Sequence, residues 1–237
     1  MTVLLTAHGT RNPHGVAMIG DLAAAMSRRL DLPVRVAFVD VLGPTPSDVL
    51  AELPADQQVV VVPAFLARGY HVRADLPEHL AAAGHPGAVL TPALGPSPAL
   101  AEALAARLRE AGVRRTDAVV LAAAGSSDPQ AVADVRRVAT RLESLLGTRV
   151  SIGFAAPPAD SAYPGIDDAV REAHRRNGRC AVASYLLADG LFQRRLHDSG
   201  ADVVAEPLGL HPRVVGLACR RVLSAQLIAK TARTHAG

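Results

Sequence analysis

The chain has no tryptophan, and Phe, Trp and Tyr together make up only 3% of its 237 residues. Stacking platforms for single-stranded nucleic acid interleave aromatic rings with basic side chains, and no stretch of that kind is present. Lysine is almost missing too: of 25 basic residues, Lys230 is the one lysine. A phosphate-binding loop of the G-x-x-x-x-G-K-[S/T] type needs a lysine beside its glycines, so nucleotide hydrolysis of that type is excluded. The net charge of +3 is modest and does not imply a nucleic-acid partner. There are two cysteines, Cys180 and Cys219. Their separation supports neither a disulfide framework nor a C-x-x-C metal site, and both are read as buried small hydrophobes. No apolar run approaches the roughly 20 residues of a membrane span. The amino terminus "MTVLLTAHG" lacks the basic region and cleavage site of a signal peptide. A cytoplasmic location with no membrane partner is the expectation.

What the chain does have is a repeat. "LLTAHGTRNP" starts at Leu4, and "VLAAAGSSDP" starts at Val120, 116 positions on. Aligning Leu4 to Ala17 with Val120 to Ala133 gives six identities in fourteen: Leu5/Leu121, Ala7/Ala123, Gly9/Gly125, Pro13/Pro129, Val16/Val132 and Ala17/Ala133. Further on, "VRVAFVDVLGP" matches "TRVSIGFAAPP", "AFLARGYH" matches "SYLLADGLF" and "ALGPSP" matches "PLGLHP", in the same order. Short β-branched runs begin at Val3, Val34, Val59, Ala88, Ala118, Arg149, Cys180 and Asp202, with helical patterns such as Val16 to Leu30, Pro98 to Ala111, Gln130 to Leu146 and Pro212 to Ala232 between and after them. Near-continuous apolar strands alternating with helices indicate parallel α/β sheet. The expected fold class is therefore α/β and doubly wound, as two pseudo-symmetric halves. Residues 1–112 and 113–237 each form a four-stranded parallel sheet of order 2-1-3-4 flanked by helices.

The second copy serves as an internal control for the first. The frame of strand, Gly, hydroxyl and Pro is a folding instruction, because Gly permits a tight turn and Pro is tolerated at the first helical position. His8 is not part of that instruction, since Ala124 replaces it. On the same alignment Phe154 stands for Asp40 and Phe192 for His71. Carboxyl ends of strands are where ligand crevices form in such sheets. Two imidazoles and a carboxylate are thus expected at one cleft in the first half, with apolar groups in their places in the second. His14 and His79 lie about one helical turn from that cleft, and the remaining histidines are read as structural. A histidine phosphatase also uses a strand-end His-Gly, but it wants Arg immediately before the His, where this chain has Ala7.

These segments carry a resemblance. "LLTAHGTRNPHG", "VAFVDVLGPTPSDVL" and "VVPAFLARGYHVRADLP" together resemble the sirohydrochlorin chelatases, the class II tetrapyrrole chelatases, over the whole chain. Members of this length are two fused copies of a unit that elsewhere works as a homodimer. The resemblance implies a lyase that inserts a divalent metal into sirohydrochlorin, with Fe(II) for siroheme as the expected metal and Co(II) for cobalamin as the alternative. It puts the first-strand histidine on His8, the acid on Asp40 and the third-segment histidine on His71, with His8 and His71 as transient metal ligands. The family commonly has Glu where this chain has Asp40, one methylene shorter, so that Asp40 either contacts the metal or orients a histidine and relays a proton. A neutral imidazole suits Fe, Co and Ni as a ligand, and the ordinary histidine pKa of about 6.5 also lets it accept a pyrrole proton.

The carboxylate-rich macrocycle points to Arg11, Arg68 and Arg73 beside the histidines, to Gly9 and Thr10, and to Ser126 and Ser127 on the opposite wall, as substrate-binding groups. Phe154 and Phe192 would cover part of the macrocycle's face. No cofactor is expected to stay bound, the metal being a substrate, and fusion of the halves implies a monomer. The rival reading is a non-catalytic tetrapyrrole or metal carrier using the same cleft.

Overall fold

The computed structural model describes residues 1–159 and 161–234, and at His71, Asn177 and 232–234 the backbone alone. The β-branched runs form strands β1 (Thr2–Ala7), β2 (Val34–Phe38), β3 (Val59–Pro63) and β4 (Ala88–Leu90), then β5 (Ala118–Ala123), β6 (Val150–Phe154), β7 (Cys180–Tyr185) and β8 (Val203–Val204). They make two parallel sheets, of order β2-β1-β3-β4 and β6-β5-β7-β8. Both sheets have the expected 2-1-3-4 order. Val59 to Val62 and Val119 to Ala123 are buried at every position, because helices cover both faces of each sheet. The helices are α1 (Pro13–Leu30), α2 (Pro46–Ala51), α3 (Leu76–Ala83), α4 (Pro98–Glu110), α5 (Pro129–Leu146), α6 (Ile166–Asn177), α7 (Leu191–Asp198) and α8 (Pro212–Thr234). Among the described residues no helix is long and apolar enough to cross a membrane.

The entry to the first helix of each copy explains why the frame repeats. Asn12 caps α1 by accepting from the His14 N–H at 3.0 Å, and Asp128 caps α5 by accepting from the Gln130 N–H at 2.8 Å. Pro13 and Pro129 occupy the first helical turn, where a missing N–H costs nothing. One step earlier, the Thr10 and Ser126 hydroxyls accept from the N–H groups of Asn12 and Asp128, both at 3.1 Å. The "GTRNP" and "GSSDP" strings are thus two versions of one strand-to-helix turn.

The compact units do not follow the repeat boundary at 112/113. One unit is residues 1–94 with the C-terminal segment from Val215, and the other is residues 95–214. The last helix of each repeat belongs to the other repeat's unit. α4 packs against α5 and β7, with eight of its residues buried on nearly all sides. In the first unit, α8 runs beside β3 and β4: Ala225, Gln226 and Ala229 line a small hollow with Val60 and Val89, and the Gln226 side chain reaches Met1. Leu217 and Val222 of α8 are buried there, each worth about 1.5–3 kcal/mol. A fragment of residues 1–112 is therefore expected to bind an apolar dye and to unfold without a cooperative transition, because it keeps α4 and lacks α8. Cooperative unfolding of that fragment by circular dichroism, with no dye binding, would contradict the exchange of helices.

Candidate active site at the carboxyl edge of the first sheet

β1 and β2 pair in register up to Ala7 and Phe38, and the ladder then continues past the ends of both strands. The Val39 N–H donates to the Ala7 carbonyl at 2.9 Å, and the Asp40 N–H donates to the His8 carbonyl at 3.0 Å. Backbone bonding alone therefore brings His8 and Asp40 side by side at the carboxyl edge, with both residues exposed. Gly9 follows at a φ of +96°, and a Cβ there would run into the Asp40 carbonyl oxygen. The turn needs glycine so that the two chains can come this close.

Asp40 is held by its own loop. Its carboxylate accepts from the Val41 N–H at 2.7 Å, and its carbonyl accepts from the Leu42 N–H, also at 2.7 Å. The i to i+2 bond is a γ-turn, which puts the β-branched Val41 at a φ of +67° while leaving it 45% exposed. A β-branched residue in that region is strained by about 1–3 kcal/mol, and the strain sits next to the candidate carboxylate. The loop is closed by Thr45, whose side chain and backbone pair reciprocally with Asp48 as a capping box for α2. Those bonds hold the Asp48 carboxyl below the ordinary carboxylate range.

His71 opens a π-helical turn, His71–Asp75, that leads into α3. Val59 and Cys180 hold equivalent register positions beside β1 and β5, which places His71 level with Phe192. The following helices then differ by one residue, because the fully buried Leu76 and Leu196 lie 17 and 16 positions beyond Val59 and Cys180. The widened turn absorbs the extra residue, and such π insertions occur frequently at functional positions. Arg11 and Arg73 are exposed and Arg68 is half-buried; Arg11 and Arg68 lie in the loops after β1 and β3, and Arg73 lies within the π-helical turn. Among the described residues no group of three or more His, Cys, Asp or Glu stands ready to hold a metal. The Thr6 hydroxyl, buried in β1 two residues before His8, has no hydrogen-bond partner among the described residues.

The second copy repeats the ladder without the chemistry, and here one sequence expectation is corrected. Ala123 pairs with Phe154 as Ala7 pairs with Phe38, the Ala156 N–H donates to the Ala124 carbonyl at 2.9 Å, and a Cβ on Gly125 would meet the Ala156 carbonyl. Asp40 therefore corresponds to Ala156. Phe154 corresponds to Phe38. It is 1% exposed, with the Tyr163 ring edge-on at 5.7 Å, so it belongs to the core and covers no ligand. Phe192 is 36% exposed, with the Arg195 guanidinium 5.8 Å from its ring centroid. Ser126 and Ser127 sit at the carboxyl edge of this second sheet.

The other histidines have local partners. His79 meets Ser47 at 3.2 Å, joining α3 to α2. His85 reaches the Pro54 carbonyl, His174 pairs with Asp202, His197 meets Gln193, and His211 accepts from the Arg213 N–H. His14 is exposed at the start of α1, and His235 lies outside the described residues.

The fold and this edge define a class: a two-copy parallel α/β protein whose first copy carries His8 and Asp40 where the second has Ala124 and Ala156. A family model described as CbiX matches residues 2–111 and, a second time, residues 118–225, and the chain belongs to the CbiX family. It is similar to a sirohydrochlorin cobaltochelatase of Methanothermobacter thermautotrophicus, 36% identical over 80 residues, and to one of Methanococcoides burtonii, 30% identical over 81. Each match takes in 33% of this chain and 56% and 62% of those relatives. Among solved structures, SirB from Bacillus subtilis with Fe3+ superimposes with a TM-score of 0.77 at 22% identity over 93% of both chains, which shows a shared fold. A CbiX described as the terminal enzyme for biosynthesis of siroheme in denitrifying bacteria gives 0.69 at 26% identity, over 95% of this chain and 99% of that one.

Gly9→Ala and Gly125→Ala impose the same clash on equivalent turns. Each is expected to lower unfolding free energy by about 1–3 kcal/mol in urea titrations. Wild-type stability in either variant would mean that the two turns are not built alike.

Proposed function

We propose that the protein is a chelatase that inserts a divalent metal into sirohydrochlorin, with His8, Asp40 and His71 as its catalytic groups. The observation that carries this reading is the extended ladder that fixes His8 beside Asp40 in one copy, while the same ladder in the other copy holds Ala124 and Ala156. A scaffold that folds without these groups has no structural need of them. Family membership and the relatives' names support the choice of reaction.

Insertion requires that the ion lose water, that two pyrrole N–H protons leave, and that the metal rest briefly against the ring. His8 and His71 take the ion as neutral imidazoles, and as the metal passes to the pyrrole nitrogens the freed imidazole nitrogens accept the two protons. A site with two such ligands stays open and releases the metal, where a closed four-ligand site would keep it. Asp40 orients an imidazole or passes on its proton. The loop bond from Val41 fixes the carboxylate's direction for that task. Arg11, Arg68 and Arg73, with the backbone of Gly9 and the hydroxyl of Thr10, take macrocycle carboxylates, and Ser126 and Ser127 offer the same kind of donor at the edge of the second sheet. Thr10 and Ser126 accept at their oxygens to build the helix entries, so they donate to the ligand through their hydroxyl hydrogens.

Nitrogen and oxygen donors accept Fe(II) and Co(II) alike. Iron was the metal expected from the sequence, and the cobaltochelatase names of the relatives favour cobalt. Anaerobic initial rates with each ion and sirohydrochlorin decide between them, and repeated turnover separates an enzyme from a carrier. His8→Ala and His71→Ala are each expected to lower the insertion rate by about 100-fold or more, with thermal unfolding within a few degrees of wild type because Ala124 and Phe192 already stand at these positions in a folded copy. Near-normal rates in both variants would overturn the assignment.

A further inference from the structure

The second unit carries a cavity that the proposed chemistry does not use. It has a volume of about 760 Å³ and lies at the amino-terminal edge of the second sheet, the edge opposite Ser126 and Ser127. That size falls within the range of small-molecule sites. Arg114 and Arg115 enter from the segment before β5, Val119 from β5 itself, and Gly147 and Thr148 from the turn before β6. The floor is apolar, formed by Val113, Leu145 and Leu146 with the nearly buried Leu108 and Val119.

The rim is strongly positive. Arg109, Arg114, Arg115 and Arg213 line it, and Glu102 is the one acidic side chain there. Glu102 is taken by Arg213. Among the described residues no carboxylate pairs with Arg109, Arg114 or Arg115. The C-termini of α4 and α5 also meet here, and each supplies about half a negative charge. Four guanidiniums against one carboxylate and two helix ends leave about two positive charges uncompensated. His211 lies outside the lining and is held below the ordinary histidine value first by burial and then by the guanidiniums of Arg107, Arg213 and Arg109, against the opposing pull of Glu110.

We propose that this cavity is an accessory binding site for an amphipathic polycarboxylate, whose apolar body lies on the Leu/Val floor and whose carboxylates reach Arg109, Arg114 and Arg115. Guanidinium groups suit carboxylates in paired, planar contacts. A simple inorganic anion would use the rim and leave the floor wet. The cavity's charge and floor stand independently of the proposed reaction. The choice of a carboxylate-bearing tetrapyrrole as occupant rests on that reading.

The test uses the full chain and uroporphyrin, a macrocycle with eight carboxylates, without metal. Binding is followed by fluorescence titration in wild type, in Arg114→Glu/Arg115→Glu, and in Arg28→Glu/Arg220→Glu, which makes the same charge change at exposed positions that do not line the cavity. The expected result is one molar equivalent of binding lost, or weakened at least about tenfold, in the first variant alone. Equal binding in wild type and Arg114→Glu/Arg115→Glu would overturn the site, and so would equal losses in both variants. Citrate, which has carboxylates and no apolar body, should fail to displace the macrocycle at equal concentration; displacement would overturn the role of the floor. Insertion of Co(II) and Fe(II) into sirohydrochlorin is measured alongside, and an accessory site predicts unchanged turnover in Arg114→Glu/Arg115→Glu. Lost turnover would make the cavity part of the reaction machinery and overturn its accessory role. Absence of turnover in every chain would defeat the chelatase reading and leave the binding result standing.

Discussion

Two backbone hydrogen bonds, from Val39 to Ala7 and from Asp40 to His8, carry the β1–β2 ladder beyond the point where the strands end. Everything chemical at this edge depends on them. The bond from the Asp40 N–H to the His8 carbonyl ties the two backbones together at this edge. Gly9 is required because the Asp40 carbonyl fills the space of a Cβ. The γ-turn at Val41 then sets the carboxylate in a strained loop, closed at its far end by the Thr45 and Asp48 capping box.

The second copy separates what folding needs from what chemistry needs. It keeps the ladder, the glycine turn, the capped helix and the buried phenylalanine, since Phe154 answers Phe38. It drops the imidazoles and the carboxylate, and it replaces the π turn at His71 with a regular helix start at Leu191. Features shared by both copies are structural by this comparison. Features confined to the first copy, including the extra residue at the π turn and the orphaned Thr6 hydroxyl where the second copy has Ala122, cluster around the proposed site.

Much of this was legible in the sequence. The apolar runs name the eight strands of the described residues; in β1, β3, β5 and β7 burial leaves little room for any other composition. The 2-1-3-4 order of both sheets follows from the doubly wound class, and the repeat applies it twice. The pairing of Asp40 with Phe154 went astray because apolar and proline matches in the loop outweighed the register of the strand. The identity of Phe38 with Phe154, at the same 116-residue offset as Gly9 with Gly125, was the signal that places Ala156 opposite Asp40. The exchange of α4 and α8 between units left no such mark. Both helices read as locally attached to the strand before them, and only tertiary packing decides which sheet they cover. The strain at Val41 was equally hidden, since nothing in "VDVLGP" announces a left-handed valine.

If the ladder exists to make His8 and Asp40 one functional pair, their losses must overlap. The measurement is a double-mutant cycle on anaerobic metal insertion into sirohydrochlorin, comparing His8→Ala, Asp40→Asn and the combined variant. A joint role predicts that the combined variant is no slower than His8→Ala alone, within about twofold. Losses that multiply, so that the combined variant falls by the product of the two single effects, would show that the residues act independently and would contradict the paired site.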